Sequence, residues 1–194
     1  MHFVGGLALS VLWAFFAAAH LAGFVQTGKP GLLLFALAET LVAAFFLLRT
    51  RPKMITRNPG EWAVAVVATF APLLLRPTGD ASVPIAEWGL ALGATLQIAG
   101  VLSLNRSLAV VPALRELKTR GMYRFVRHPL YSSYLLTFGF YLAANFSTRN
   151  LLIVALTVGL LVARVHFEER LLGQSPEYRM YRSRVRWRLI PFVF

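Results

Sequence analysis

Six apolar runs joined by short polar connections leave this chain few folds to choose from. They span Phe3–Val25, Gly31–Leu48, Trp62–Leu75, Val83–Leu104, Leu130–Phe146 and Leu151–Ala163. A helix crossing the hydrocarbon core of a bilayer takes about 20 residues, with about 17 tolerated. The first, second and fourth runs meet that length. The third and sixth need flanking residues, with Trp62 suited to an interface and Arg164 able to snorkel. Only the polar stretch Asn145–Asn150 separates the fifth run from the sixth, so these two read as a hairpin. With 57% of residues hydrophobic and 14% charged, disorder is excluded, and a soluble domain of this size could not hide so much apolar sequence. The first run lacks a basic leader and is longer than a signal peptide needs, so it reads as a membrane helix. The predicted fold is all-α: a polytopic bundle of about six transmembrane helices.

The net charge of +12 raises nucleic acid as a partner, and the placement of the charge argues against it. If all six runs cross, every basic residue except Lys29, Arg76 and Arg149 falls on one side. The positive-inside rule makes that side cytoplasmic, with both termini there. Residues 1–104 then read as a membrane scaffold, and residues 105–194 hold nearly all the clustered polar chemistry. The absence of cysteine removes disulfides, thiol nucleophiles and thiolate metal sites. No metal site is predicted.

Glu39 lies in the middle of the second run, and an ionisable residue at that depth is a functional candidate. His20 lies toward the same end of the first run, close enough in register for a hydrogen-bonded pair with Glu39. A structural contact between two helices, or a carboxyl kept neutral by desolvation, is the simpler reading of Glu39 and is preferred, since no cluster of partners surrounds it. Gln97 reads as an interhelical hydrogen-bonding residue, and Gly89, Gly93 and Gly100 as a close-packing face.

The informative half begins at Gly121-Met-Tyr123-Arg124-Phe-Val-Arg127-His128-Pro129-Leu-Tyr131. Pro129 biases His128 away from helical angles and is itself at home in the first turn of a helix. Arg127 and His128 therefore sit at a helix entrance, where backbone N–H groups favour an anion. Headgroup binding by the basic residues is the simpler alternative. Tyr131 and Tyr134 share a face. The sixth run leaves the membrane as Arg164-Val-His166-Phe-Glu168-Glu169-Arg170, with Arg164 one turn from Glu168 and His166 one turn from Arg170. The hairpin returns this cluster to the side of Arg127 and His128. The tail, Pro176-Glu177-Tyr178-Arg179-Met-Tyr181-Arg182 and then Arg186-Trp187-Arg188-Leu189-Ile190-Pro191, alternates basic and aromatic residues. That suits an anionic lipid surface or a cap over a pocket.

This ordered set of motifs, over roughly residues 95–194, resembles the isoprenylcysteine carboxyl methyltransferase family. That superfamily of integral membrane methyltransferases also includes the phospholipid N-methyltransferases. The resemblance implies methyl transfer from S-adenosylmethionine to a lipophilic acceptor at the cytoplasmic face. It implies a cofactor pocket built from the C-terminal part, in keeping with the missing Gly-rich dinucleotide fingerprint. It places Tyr123, His128, Pro129 and Tyr131 at the cofactor, with Glu168 and Glu169 on its polar groups and Arg127 on its carboxylate. It puts Arg164 on the acceptor carboxylate, makes Arg164 and Glu168 the catalytic pair, and has Tyr178, Tyr181 and Arg182 close the pocket. A carboxylate acceptor is ionised at pH 7 and needs no general base. A phospholipid amine must first lose a proton, to His128, His166 or Glu168. A non-enzymatic lipid-binding or assembly module on the same fold is the third reading, since fold does not fix activity.

Overall fold

The computed structural model describes residues 2–28, 30–76, 78 and 84–194. Lys29, Asp80 and Val83, which bear on connection charge and on the start of the fourth run, lie outside them. The elements are α1 (His2–Thr27), α2 (Pro30–Leu48), β1 (Met54–Ile55), α3 (Pro59–Phe70), α4 (Pro84–Leu104), β2 (Ala113–Leu114), α5 (Pro129–Ala144), α6 (Thr148–Leu172) and α7 (Pro176–Arg184). The bundle is all-α apart from the two-residue antiparallel pair, in which Met54 faces Leu114 and Ile55 faces Ala113.

Four helices are long and apolar enough to cross a membrane, at Gly6–Thr27, Gly31–Leu48, Pro84–Ser107 and Thr148–Leu172. The sixth run thus exceeds its apolar core: α6 continues for more than two turns past Ala163 and carries Arg164, Glu168 and Glu169 as helical residues. The third and fifth runs form shorter helices. Asn58 caps α3 by accepting from Gly60 N, and Pro59 opens it, so the helix starts ahead of Trp62. It tightens into a 3-10 turn at Ala71–Leu74, where Pro72 cannot continue an α-helical ladder. The 16 residues of α5 run from Pro129 to Ala144.

All six helices nevertheless join the same two ends of the bundle. At one end the 49–58 connection is bound to 105–114 by Thr50 N to Arg106 O, Lys53 N to Leu114 O and Thr56 N to Pro112 O. Glu61 at the start of α3 pairs there with Arg170 near the end of α6. At the other end, Asn150 Oδ1 accepts from Arg76 N and Asn145 Oδ1 accepts from Thr78 N. Gly6 of α1 packs against the carbonyl of Phe46, which sets the start of α1 beside the end of α2. Among the described residues, the basic side chains other than Arg76 and Arg149 gather toward the first end.

Close helix approach is built into α4. Gly89 faces the ring of Phe140, Gly93 the hydroxyl of Thr137 and Gly100 the side chain of Leu130, and a Cβ at any of the three would collide. Val42, Phe46, Val101, Leu108 and Leu130 then form one buried cluster across α2, α4, the segment after α4, and α5. A second joins Ala68, Tyr131, Leu161, Val165 and Leu189 across α3, α5, α6 and the tail. Gly121, with φ of 62°, takes the left-handed turn that leads into the Tyr123 segment.

The charge distribution predicts which end faces the cytoplasm, and the absence of native cysteine permits a clean test. Phe146→Cys lies at the sparsely charged end and Ser183→Cys at the basic end, both at exposed positions. A membrane-impermeant maleimide applied to intact cells is expected to label Phe146→Cys, and to label Ser183→Cys only after permeabilisation. The opposite pattern would invert the orientation.

Candidate active site

The site is assembled where α5 begins, α6 ends and the tail passes between them. His128 is the non-helical residue ahead of Pro129, with φ of −130° and ψ of 63°. The backbone N–H of Arg127 donates to Trp187 O and that of His128 to Arg188 O, both at 2.9 Å. The hydroxyl of Ser132 donates to Leu189 O at 2.5 Å. The basic–aromatic tail is therefore a clamp on the Arg-His-Pro entrance, and Arg182, Arg184 and Arg186 remain exposed on its outer side.

The two adjacent glutamates have different tasks. Glu169 is 6% exposed and accepts from Arg127 Nε at 2.6 Å, Arg188 Nε at 2.9 Å and the Tyr178 hydroxyl at 3.3 Å. Arg127 Nη1 also donates to the carbonyls of Val185 and Arg186. Both charges are thus consumed in holding α6, α7, the tail and the helix entrance together. Glu168 faces the cavity instead. It accepts from the Tyr131 hydroxyl in a short hydrogen bond and from Arg164 Nε at 3.1 Å, and lies 3.7 Å from His128 Nδ1.

Arg164 is fixed on every side: Nε on Glu168, Nη1 on Thr69 Oγ1 and Nη2 on Ala109 O, with the guanidinium 5.1 Å above the Tyr131 ring. Tyr131 stacks on His128 with ring centres 5.6 Å apart and planes 6° from parallel. Tyr123, Tyr178 and Tyr181 form a buried aromatic group on the other side, with the Tyr181 hydroxyl donating to Tyr123 O at 2.6 Å. Burial pushes the hydroxyls of Tyr123, Tyr178 and Tyr181 above the ordinary phenol range, so all three stay protonated donors.

These groups form the polar end of a cavity of about 650 Å³, a size that holds a drug-sized ligand. Arg164, Glu168, His128, Tyr123, Tyr131, Tyr178 and Tyr181 all line it. Beyond them the wall is apolar and comes largely from the N-terminal half, including Trp13, Phe16, Phe35, Phe46 and Leu90. Residues 107–111 and 113–118 form a further wall. Some expected members stand apart. Arg182 opens onto a separate shallow concavity with Arg186, Trp187 and Phe194. His166 is exposed and bonds to the carbonyl of Val162, while Arg170 pairs with Glu61, so the two do not meet. His20 bonds to Phe16 O and stacks on Phe35, and Glu39 accepts from Gln97 Nε2, so the pair expected of His20 and Glu39 does not form.

One residue of the site carries no mark in the sequence beyond its charge. Arg115 is 6% exposed and lines the cavity, and its Nε and Nη1 are buried without a hydrogen-bond partner. Burial, with Arg49 adding repulsion, pushes its guanidinium down to about 10. A buried cation in this condition is costly until an anion joins it. His128 Nε2 is also buried without a hydrogen bond, 3.5 Å from Glu169 Oε1.

Residues 86–175 match the phospholipid methyltransferase family. The matched stretch runs from α4 to the cap of α7 and contains Arg115, the Arg-His-Pro entrance and the Arg164–Glu168–Glu169 cluster. The match covers just under half of the chain, and the matched family is one of those in the superfamily that the motifs resemble. No curated protein matches the chain significantly.

Removing the Glu169 carboxylate strands the buried guanidinium of Arg127 and the part-buried one of Arg188, and breaking a buried pair costs about 3–5 kcal/mol. Glu169→Ala is expected to lower the thermal unfolding midpoint of the detergent-purified protein far more than Glu177→Ala, whose side chain is exposed. Equal midpoints for the two variants would remove Glu169 from its central place.

Proposed function

We propose that the chain transfers a methyl group from S-adenosylmethionine to the anionic head of a lipophilic acceptor, at the cytoplasmic face of the membrane, with a carboxylate of the isoprenylcysteine type as the acceptor. The observation that carries this reading is a single cavity with two characters, a polar end built on Arg115, Arg164, Glu168 and His128 and an apolar shaft through the bundle.

The residues present suit the cofactor. Arg115 offers unpaired N–H groups to a carboxylate. Glu168 offers acceptor oxygens to hydroxyl or amino groups, and the tyrosine faces suit a sulfonium through cation–π attraction. When bound, S-adenosylmethionine supplies an already activated methyl group. His128 and Tyr131 then line its position, and Tyr123, Tyr178 and Tyr181 shield it from water. Arg164, locked by four contacts, orients the acceptor carboxylate in a defined plane. Because that carboxylate is ionised at neutral pH, the protein's contribution is alignment and exclusion of water. Glu169, Arg127 and Pro129 act through His128 and α6 as positioning residues. Arg182 has no part in this reading.

The family match favours a second acceptor, the amine of a phospholipid. Glu168 and His128, 3.7 Å apart, supply a place for the proton that such an amine must lose.

Calorimetry on the detergent-purified protein is expected to show saturable binding of S-adenosylmethionine. Glu168→Ala, His128→Ala and Arg115→Ala are each expected to weaken it by about tenfold or more, since loss of a charged hydrogen bond costs about 1.5–3 kcal/mol. Absence of binding by the folded wild type would overturn the proposal.

Incubation with methyl-labelled cofactor and a membrane lipid extract separates the two acceptors. Label released by mild base marks a methyl ester and supports the carboxylate. Label that stays in a headgroup through base treatment marks an N-methyl group and supports the phospholipid.

A further inference from the structure

The reaction site accounts for the polar end of the cavity but leaves a second group of polar side chains in its apolar shaft. Glu39 from α2, Gln97 from α4, and Tyr134 and Thr137 from α5 all line the shaft. They are contiguous. Gln97 Nε2 donates to Glu39 Oε1 at 3.4 Å. Gln97 stands one turn beyond Gly93, and Gly93 is the residue against which the Thr137 hydroxyl packs. Tyr134 lies one turn before Thr137 and within electrostatic range of both Glu39 and Arg164, linking this belt to the reaction site. At 1.5 Å per helical residue, Thr137 sits about 9 Å deeper along α5 than Tyr131.

Polar groups in a membrane bundle often serve only to join helices. Three observations set these apart. All four line the cavity, and the Thr137 hydroxyl also packs on Gly93 of α4. The bond between Glu39 and Gln97 is long. Thr137 Oγ1 is buried and has no hydrogen-bond partner. A wall of this kind holds unmet hydrogen-bonding capacity that a plain hydrocarbon tail cannot satisfy.

We propose that Glu39, Gln97 and Thr137 form a specificity belt for a hydroxyl-type group in the body of the lipophilic ligand, about 9 Å inward from its anionic head. A hydroxyl donates to the Glu39 carboxyl or the Gln97 carbonyl and accepts from the Gln97 amide or Thr137. The ligand class is thus a lipid with a polar group partway along its length. This rests on the reading of the cavity as an acceptor site.

The test uses displacement of a fluorescent fatty acid from the detergent-purified protein, without cofactor. The competitors are stearate and a positional series of monohydroxystearates, whose carboxylate stands for the acceptor's head. The wild type is expected to prefer one mid-chain isomer over stearate by about tenfold, as sites built to bond a hydroxyl reject ligands lacking it. The double variant Glu39→Leu, Gln97→Leu is expected to lose that preference and keep its affinity for stearate. Glu39→Gln, which retains hydrogen bonding, is expected to keep the preference. If the double variant does not fold, Thr137→Val carries the test and is expected to reduce the preference at least threefold, or about 0.65 kcal/mol. A wild type that treats all isomers like stearate, or a preference that survives in the variants, overturns the belt. The readout is independent of methyl transfer: a chain that binds no cofactor yet prefers one isomer refutes the transferase reading and leaves the belt standing.

Discussion

The buried carboxylate of Glu169 is the joint on which this molecule turns. Three segments far apart in sequence supply its partners: Arg127 from the entrance of α5, Tyr178 from α7 and Arg188 from the tail. These segments also bury apolar side chains, among them Tyr178, Tyr181, Val185 and Leu189, but apolar packing is non-directional. A paired carboxylate in a low-dielectric setting places them sharply, because each unpaired charge would be costly. Once they are held, His128 has a fixed backbone, the tail closes over the helix entrance, and the neighbouring Glu168 is left to face the cavity.

A similar division of labour runs through the arginines. Arg127 is held by Glu169 and backbone carbonyls and Arg164 is anchored by Glu168, Thr69 and Ala109, whereas Arg115 Nε and Nη1 have no hydrogen-bond partner within the protein. The loop bearing Arg115 is anchored twice, by pairing of β2 with β1 and by the bond from Arg164 to Ala109 O. The N-terminal half is thereby tied to the cavity wall. It is more than a scaffold, since α1, α2 and α3 line the cavity as well.

Much of this was legible in the residues. The four-residue spacing of Arg164 and Glu168, the proline after His128 and the short turn between the fifth and sixth runs gave the site's main parts and their convergence. The glycine face of α4 and the role of Gln97 were legible too. What stayed hidden depended on rotation and tertiary partners. Adjacent residues on a helix point about 100° apart, and nothing local says which of Glu168 and Glu169 turns inward. The isolation of Arg115 shows only once its surroundings are known. His20 and Glu39 had compatible depths, but each found a different partner on a neighbouring turn or helix. Pro72 in the third run was a visible sign that this helix ends early, and the length of α6 was masked by the charges in its last turns.

The shortness of two helices has a consequence for the surrounding lipid. At 1.5 Å per residue, the 16 residues of α5 reach about 24 Å, against a hydrocarbon core of about 30 Å. The stretch Pro59–Leu74 is equally short, and both helices flank α6. A bilayer meeting such a flank thins to avoid exposing hydrocarbon to water. Headgroups on that side descend by up to about 6 Å, the difference between those two lengths. They come down toward the first turn of α5, where Tyr131 stands, so the membrane itself shortens the path between a lipid's polar head and the reacting end of the cavity.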